Sequence, residues 1–210
     1  LFLVIINFAG CTRNTQSICN NIVWNITCDR ESNVWLCTDN GISVTQHTSW
    51  YRMVNLLEIS GTGDGNIFSQ IMCDSHGCMW MGGENGLLRV APMDGGNDVK
   101  WYNANNPEYT LVHNRVRQIY EDRAHNIWIA TDGNIARYDI GSKRFVYYKL
   151  TDGRGHNSQW AYSVYEDTKG RLWITSYAGG LFIVDKKKLI SHSKDNMNYG
   201  MRDNCSFKFK

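Results

Sequence analysis

Two prolines in 210 residues, no apolar run of membrane-spanning length and no excess of either charge mark this sequence first by what is scarce. The most apolar stretch, 1–11, is about half the roughly 20 residues that a transmembrane helix needs. With 22 basic and 20 acidic residues the net charge is +2, which offers no basic face for nucleic acid. The seven cysteines are an odd number and show no two-residue spacer, and the histidines are scattered singly. Zinc-knuckle and redox motifs are therefore missing. We expect buried, weakly polar core thiols, no metal and no cofactor. Cysteine usage does not fix the compartment. No stretch reads convincingly as a helix. The run Lys186-Lys187-Lys188 reads as a solvated strand end rather than a binding patch.

What is present is a repeat. The stretch Val164-Tyr165-Glu166-Asp167-Thr168-Lys169-Gly170-Arg171-Leu172-Trp173-Ile174-Thr175 reads as strand, tight turn, strand. Three further copies align on Trp35, Trp80 and Trp128, at steps of 45, 48 and 45 residues to Trp173. Six residues before each tryptophan stands an aspartate (Asp29, Asp74, Asp122, Asp167). Nine before stands Ile26, Ile71, Ile119 or Val164. Gly77 and Gly170 hold the turn position that favours a left-handed backbone, and Ser32 and His125 replace them in the other copies. A period in the mid-forties with four short strands per unit is the signature of a β-propeller. The fold class is all-β: four blades of four antiparallel strands.

The repeats occupy about 17–54, 67–102, 115–149 and 160–185, within a propeller region 17–190. In the first, strands are predicted at 22–28, 33–38, 41–46 and 50–54, and in the second at 68–74, 78–82, 87–91 and 99–102. Second strands such as Ile127-Trp128-Ile129-Ala130 are apolar on both faces, as a strand sandwiched between neighbours must be. The tryptophan column is then inter-blade filler, and each aspartate caps its own turn by accepting backbone N–H bonds. The Gly-rich link Gly61-Thr62-Gly63-Asp64-Gly65-Asn66 lacks a following helix and a Lys-Ser/Thr, so it is a loop rather than a phosphate site. Residues 1–16 read either as the end of a secretory signal closing on a lipoprotein-like Cys11, the reading we favour, or as a strand of a preceding blade. The chain looks cut on its N-terminal side. Residues 191–210 form a polar tail or the start of a truncated blade.

Written from this chain as Arg115-Val116-x-x-Ile119-x-Glu121-Asp122-x-x-x-Asn126-Ile127-Trp128-Ile129-Ala130-Thr131, the repeat resembles the two-component regulator propeller repeat. The fourth copy, with Glu166-Asp167, Gly170, Leu172-Trp173-Ile174 and Gly179-Gly180-Leu181, matches best. Such repeats build periplasmic sensor regions of hybrid two-component histidine kinases in polysaccharide-degrading bacteria. There, two seven-bladed propellers and a small β-sandwich domain precede a membrane helix and a kinase. The resemblance implies a fragment of a seven-bladed ring in the periplasm, with an oligosaccharide ligand. It implies the remaining blades and the kinase as partners, a homodimer when intact, and no nucleic acid contacted by this segment. The chain departs from the pattern in having no kinase, receiver or DNA-binding segment and too few repeats for such a ring.

Three functions are weighed: a non-catalytic ligand sensor, a protein-interaction scaffold, and a lyase or glycosidase. The last needs paired carboxylates in a pocket, whereas the prominent carboxylates here belong to the repeat turns. Candidate ligand residues lie thirteen and eleven positions before each tryptophan, where a link enters the first strand. These positions give Trp24 in repeat one, Arg115 and Arg117 in repeat three, and Trp160 and Tyr162 in repeat four, with His113, His156 and Asn157 beside them. Aromatic faces and planar donors of this kind hold sugars, or else these residues only pack and pair around the channel.

Overall fold

The computed structural model describes residues 18–46, 52–55, 67–94, 96–151, 157–158, 160–192 and 199–201. Blade one comprises β1 (Val23–Cys28), β2 (Val34–Thr38), β3 (Gly41–Gln46) and β4 (Arg52–Asn55). Blade two comprises β5 (Phe68–Cys73), β6 (Met79–Gly83), β7 (Leu87–Met93) and β8 (Gly96–Tyr102). Blade three comprises β9 (Val116–Glu121), β10 (Ile127–Thr131), β11 (Asn134–Asp139) and β12 (Arg144–Thr151), whose outer strand also pairs with β13 (Asn157–Ser158). Among the described residues blade four has three strands, β14 (Ala161–Glu166), β15 (Arg171–Ser176) and β16 (Gly180–Asp185). Helix α1 (Lys186–His192) follows, and β17 (Tyr199–Met201) lies parallel to β12. Within each blade the strands run antiparallel in chain order, as a meander.

Successive first strands lie side by side, β1 against β5, β5 against β9 and β9 against β14, so the sheets stack as neighbouring propeller blades. The core therefore lies between blades. Trp35 packs with Phe68, Ile71 and Met81 in the first gap. Trp80 packs with Val116, Ile119 and Tyr138 in the second, and Trp128 with Val164, Leu172 and Ile174 in the third. Each of these three tryptophans fills the space between its own blade and the next. Burying one such ring is worth on the order of 4–6 kcal/mol before entropy is subtracted. Strands β6 and β10, flanked on both sides, are buried at every residue, whereas β2 and β15 in the outer blades are not.

The two turn positions without glycine take the same backbone as the two with it. Ser32 and His125 sit at φ +66° and +63°, beside +82° for Gly77 and +76° for Gly170. The turn geometry overrides the residue type, at a cost of roughly 1–2 kcal/mol for a side chain forced into this region.

Two expectations need correction. The chain contains a helix, and Lys186 is not part of a solvated strand end: it opens α1 and is 7 % exposed. Asp185 accepts the Lys188 backbone N–H at 3.2 Å as an N-cap, and Leu189 and Ile190 pack on the core between blades three and four. A capping aspartate before a lysine run and an apolar pair was the signal in the sequence. The thiol expectation holds for Cys37 and Cys78, which are buried, and fails for Cys28, which is exposed. The Gly-rich link at 61–66 lies outside the described residues.

Candidate functional site

The blades have two ends of different character. At the end carrying the first turn, each aspartate does the same work. Its outer oxygen accepts the indole N–H of the tryptophan six residues on: Trp35 to Asp29 at 2.7 Å, and Trp80 to Asp74, Trp128 to Asp122 and Trp173 to Asp167 at 2.8 Å each. The inner oxygen accepts backbone N–H groups across the turn, from Asn33, Cys78, Asn126 and Arg171. The sequence disclosed the backbone capping but not the indole bond that links the two repeat columns.

Glutamates complete this end. Glu166 accepts the Arg123 backbone N–H of the preceding blade at 2.8 Å, and Glu121 accepts that of Ser75 at 2.9 Å. In the Glu-Asp pair the aspartate thus holds its own turn and the glutamate holds the neighbour's. Lys186 Nζ lies 2.6 Å from Glu166 Oε1 and 3.2 Å from Asp122 Oδ2, closing a buried ionic cluster. Burial alone would raise the Asp122 pKa. The Trp128 indole, Asn126 and Lys186 outweigh it and hold the carboxyl below its ordinary range. Burial likewise opposes the Lys186 charge, but Glu166 and Asp122 push its pKa up.

The opposite end, where links enter the first strands, has a repeated backbone and unrepeated side chains. In every blade the carbonyl thirteen residues before the tryptophan accepts the N–H of the residue four after it. The pairs are Asp39 to Ile22 (3.2 Å), Glu84 to Ile67 (3.1 Å), Asp132 to Arg115 (3.3 Å) and Tyr177 to Trp160 (3.0 Å). Two residues on, every first strand carries a bulge. The pairing of first and second strands skips Trp24, Ser69, Arg117 and Tyr162. A bulge leaves one residue outside the ladder and re-aims its side chain. The position eleven before each tryptophan is therefore a built presentation site whose chemistry changes from blade to blade.

In blades three and four these side chains join. Arg117 grips Asp132 through Nε at 2.6 Å and Nη2 at 2.9 Å, and its guanidinium lies 4.7 Å from the centre of the Tyr162 ring. Asp132 raises the Arg117 pKa further, chiefly by these hydrogen bonds. Arg115 reaches Glu84 of blade two at 2.7 Å. Trp160 and Tyr162 meet Tyr177, with ring centres 4.9 and 6.3 Å apart. The rings stay open to solvent, at 40 % for Trp160, 39 % for Tyr162 and 60 % for Tyr177.

Of the candidate residues, Arg115, Arg117, Trp160 and Tyr162 come together as one strip. His113 lies at the same end, accepting the Arg115 N–H at 3.1 Å and sitting beside Gly133. Trp24 stands apart in blade one, where its indole donates to Asp39 and most of its surface is exposed. Asn157 lies in β13 opposite Thr151, and His156 is outside the described residues. The column four after each tryptophan, Asp39, Glu84, Asp132 and Tyr177, was missed. The same alignment would have exposed it as the loop partner of the bulge column. Among the described residues no group of His, Cys, Asp and Glu could hold a metal ion, and no helix is long and apolar enough to cross a membrane.

Comparison with known proteins follows the fold. The two-component regulator propeller family matches at residues 110–133 and 155–178. The extracellular domain of the putative hybrid two-component system BT4673 from B. thetaiotaomicron is 44 % identical. It superposes with a TM-score of 0.66, over 93 % of this chain and 26 % of that one. The corresponding domain of BT3049 from the same organism, 21 % identical, shares the fold with a TM-score of 0.64 over 86 % of this chain and 23 % of that one. A virginiamycin B lyase from Staphylococcus aureus, 13 % identical, shares the fold alone, with a TM-score of 0.52 over 80 % of this chain and 57 % of that one. No curated protein sequence matches. The chain spans about a quarter of the length of the B. thetaiotaomicron domains. Two of its four repeats match the two-component regulator propeller, and its fold is that of the extracellular domains of B. thetaiotaomicron hybrid two-component systems.

Proposed function

We propose that this chain is a non-catalytic ligand-sensing segment of an extracytoplasmic, periplasmic sensor region, and that it binds oligosaccharide at the link end of blades three and four. Binding there is relayed, through further blades, to a histidine kinase elsewhere in a homodimeric parent protein. The observation that carries the reading is the braced aromatic strip. Three rings remain open to solvent at one end of the stack, and a guanidinium locked by a carboxylate holds one of them in place. Such rings offer flat apolar faces to the C–H surfaces of sugars. Arg115, about two-fifths exposed, and Glu84 beside it supply donors and acceptors for hydroxyl groups. Arg117 is a positioning residue, because its Nε and Nη2 grip Asp132 and its face lies on Tyr162.

The test is calorimetric titration of the full protein with a panel of neutral and acidic oligosaccharides. Trp160→Ala and Tyr177→Ala are each expected to weaken binding by about 1–3 kcal/mol, as loss of a contact-centre side chain does, with the melting temperature unchanged. Unchanged affinity in both variants would assign the rings to packing and favour the interaction-scaffold reading. Turnover of any panel member would revive the enzyme reading.

A further inference from the structure

A second feature lies at the other end of the blades, on the flank between blades two and three. A cavity of about 240 Å³ opens there, with Arg89 of β7, Lys100 of β8 and Lys143 of the β11–β12 hairpin in its lining. That volume falls below the roughly 300–1,000 Å³ of sites for drug-sized ligands, so a fitting occupant is small.

The Arg89 guanidinium lies over the Trp80 and Tyr138 rings, 5.6 and 5.9 Å from their centres. One Nη donates to Asp98 at 3.3 Å, and the other reaches only the Cys78 thiol, at 3.5 Å. Its Nε is buried and has no acceptor. A guanidinium carries five donors in a rigid fork suited to oxyanions, and a buried donor without an acceptor is costly. The Nη group bonded only to the thiol thus keeps donor capacity for an oxygen acceptor.

The surrounding charge has the matching sign. Asp74 also lines the cavity, but its oxygens are already taken by the His76 and Cys78 backbone N–H groups and the Trp80 indole. Asp98 is shared between Arg89 and Lys100, the latter at 3.6 Å. Lys143 is exposed and makes no ion pair among the described residues. His76 and His125 also line the cavity, their ring centres 5.9 Å apart. Three cations line the cavity with two carboxylates, so positive charge is in excess.

We propose that this inter-blade cleft is a binding site for a small oxyanion group, carboxylate, sulfate or phosphate, either free or carried on a larger molecule. Arg89 supplies a partly buried fork, and the similarly buried Lys100 and the exposed Lys143 supply further positive charge. The site is separate from the aromatic strip and does not depend on it.

Titration calorimetry of the full protein at low ionic strength tests this with sodium sulfate, inorganic phosphate and glucuronate, and with glucose as the uncharged control. At least one anion is expected to bind saturably while glucose does not. The double variant Lys100→Gln with Lys143→Gln is expected to weaken that binding by roughly tenfold or more, since charge-assisted bonds are lost, and to keep the melting profile. Arg89→Lys keeps the charge but loses the fork, and is expected to abolish binding. Because Arg89 packs on core rings, the lysine double variant keeps the test readable if Arg89→Lys does not fold. Tighter binding of sulfate or phosphate than of glucuronate would mark a free inorganic anion as the source. The reverse order would mark a ring-borne carboxylate. No saturable heat with any anion, or binding unaltered in the lysine double variant, would show that the cleft holds water only and overturn the proposal.

Discussion

The two ends of these blades are made by the same repeat and have opposite relations to it. At the turn end the side chains recur with the backbone: four aspartates, four tryptophans, four indole–carboxylate bonds. At the link end the backbone recurs without the side chains. The same loop-to-strand bond and the same bulge hold a tryptophan, a serine, an arginine and a tyrosine in successive blades. A repeated side chain answers a need that every blade shares, which is closing its own turn and filling the gap to its neighbour. A variable side chain on a repeated bulge answers a need that belongs to the assembly as a whole. The contrast separates what holds the stack together from what the stack presents.

The contrast is sharpest at Asp122. Its removal strips acceptors from the Trp128 indole and from two backbone N–H groups, and leaves Lys186 with Glu166 alone. Asp122→Ala is expected to cost about 3–5 kcal/mol in urea unfolding of the full protein, the usual result of breaking a buried ionic network from one side. Because the folded pKa of Asp122 is depressed, its contribution is present above the ordinary carboxylate value of 3.8 and is lost as pH falls through the folded value. The variant should therefore also flatten the acid limb of the stability profile. A loss of under about 1 kcal/mol would mean that the turn end is not the structural end. The link-end variants Trp160→Ala and Tyr177→Ala come next, with affinity reduced and stability kept within about 0.5 kcal/mol, as for exposed positions. The smallest effect is at Ser32, held at φ +66° where two sister turns have glycine. Ser32→Gly should stabilise by up to roughly 1 kcal/mol in the same urea assay.

How far the sequence could be read follows the same division. The blade order, the tryptophan gaps and the aspartate caps were legible because each recurs at a fixed offset and so rises above chance. Arg115, Arg117, Trp160 and Tyr162 could be placed at one end by counting, but their joining could not. The grip of Arg117 on Asp132 spans fifteen residues, and its stacking on Tyr162 crosses blades. Trp24 shared the position but not the neighbourhood, since the strip runs only where adjacent blades both carry large side chains. The helix at Lys186–His192 escaped because three lysines mask an apolar pair that docks once Asp185 caps the turn. Lys186 itself shows the limit of reading charge as exposure: both of its carboxylate partners belong to the repeat, yet nothing in the sequence brings them to it.

The central claim, that one end holds the fold and the other receives the oligosaccharide, is tested most directly by hydrogen exchange on the full protein, with and without the oligosaccharide that the panel identifies. The expected result is new protection at 113–118, 131–133, 160–163 and 176–178, with the four aspartate turns already slow and unchanged. Protection gained at the aspartate turns, with the link end unaffected, would contradict it.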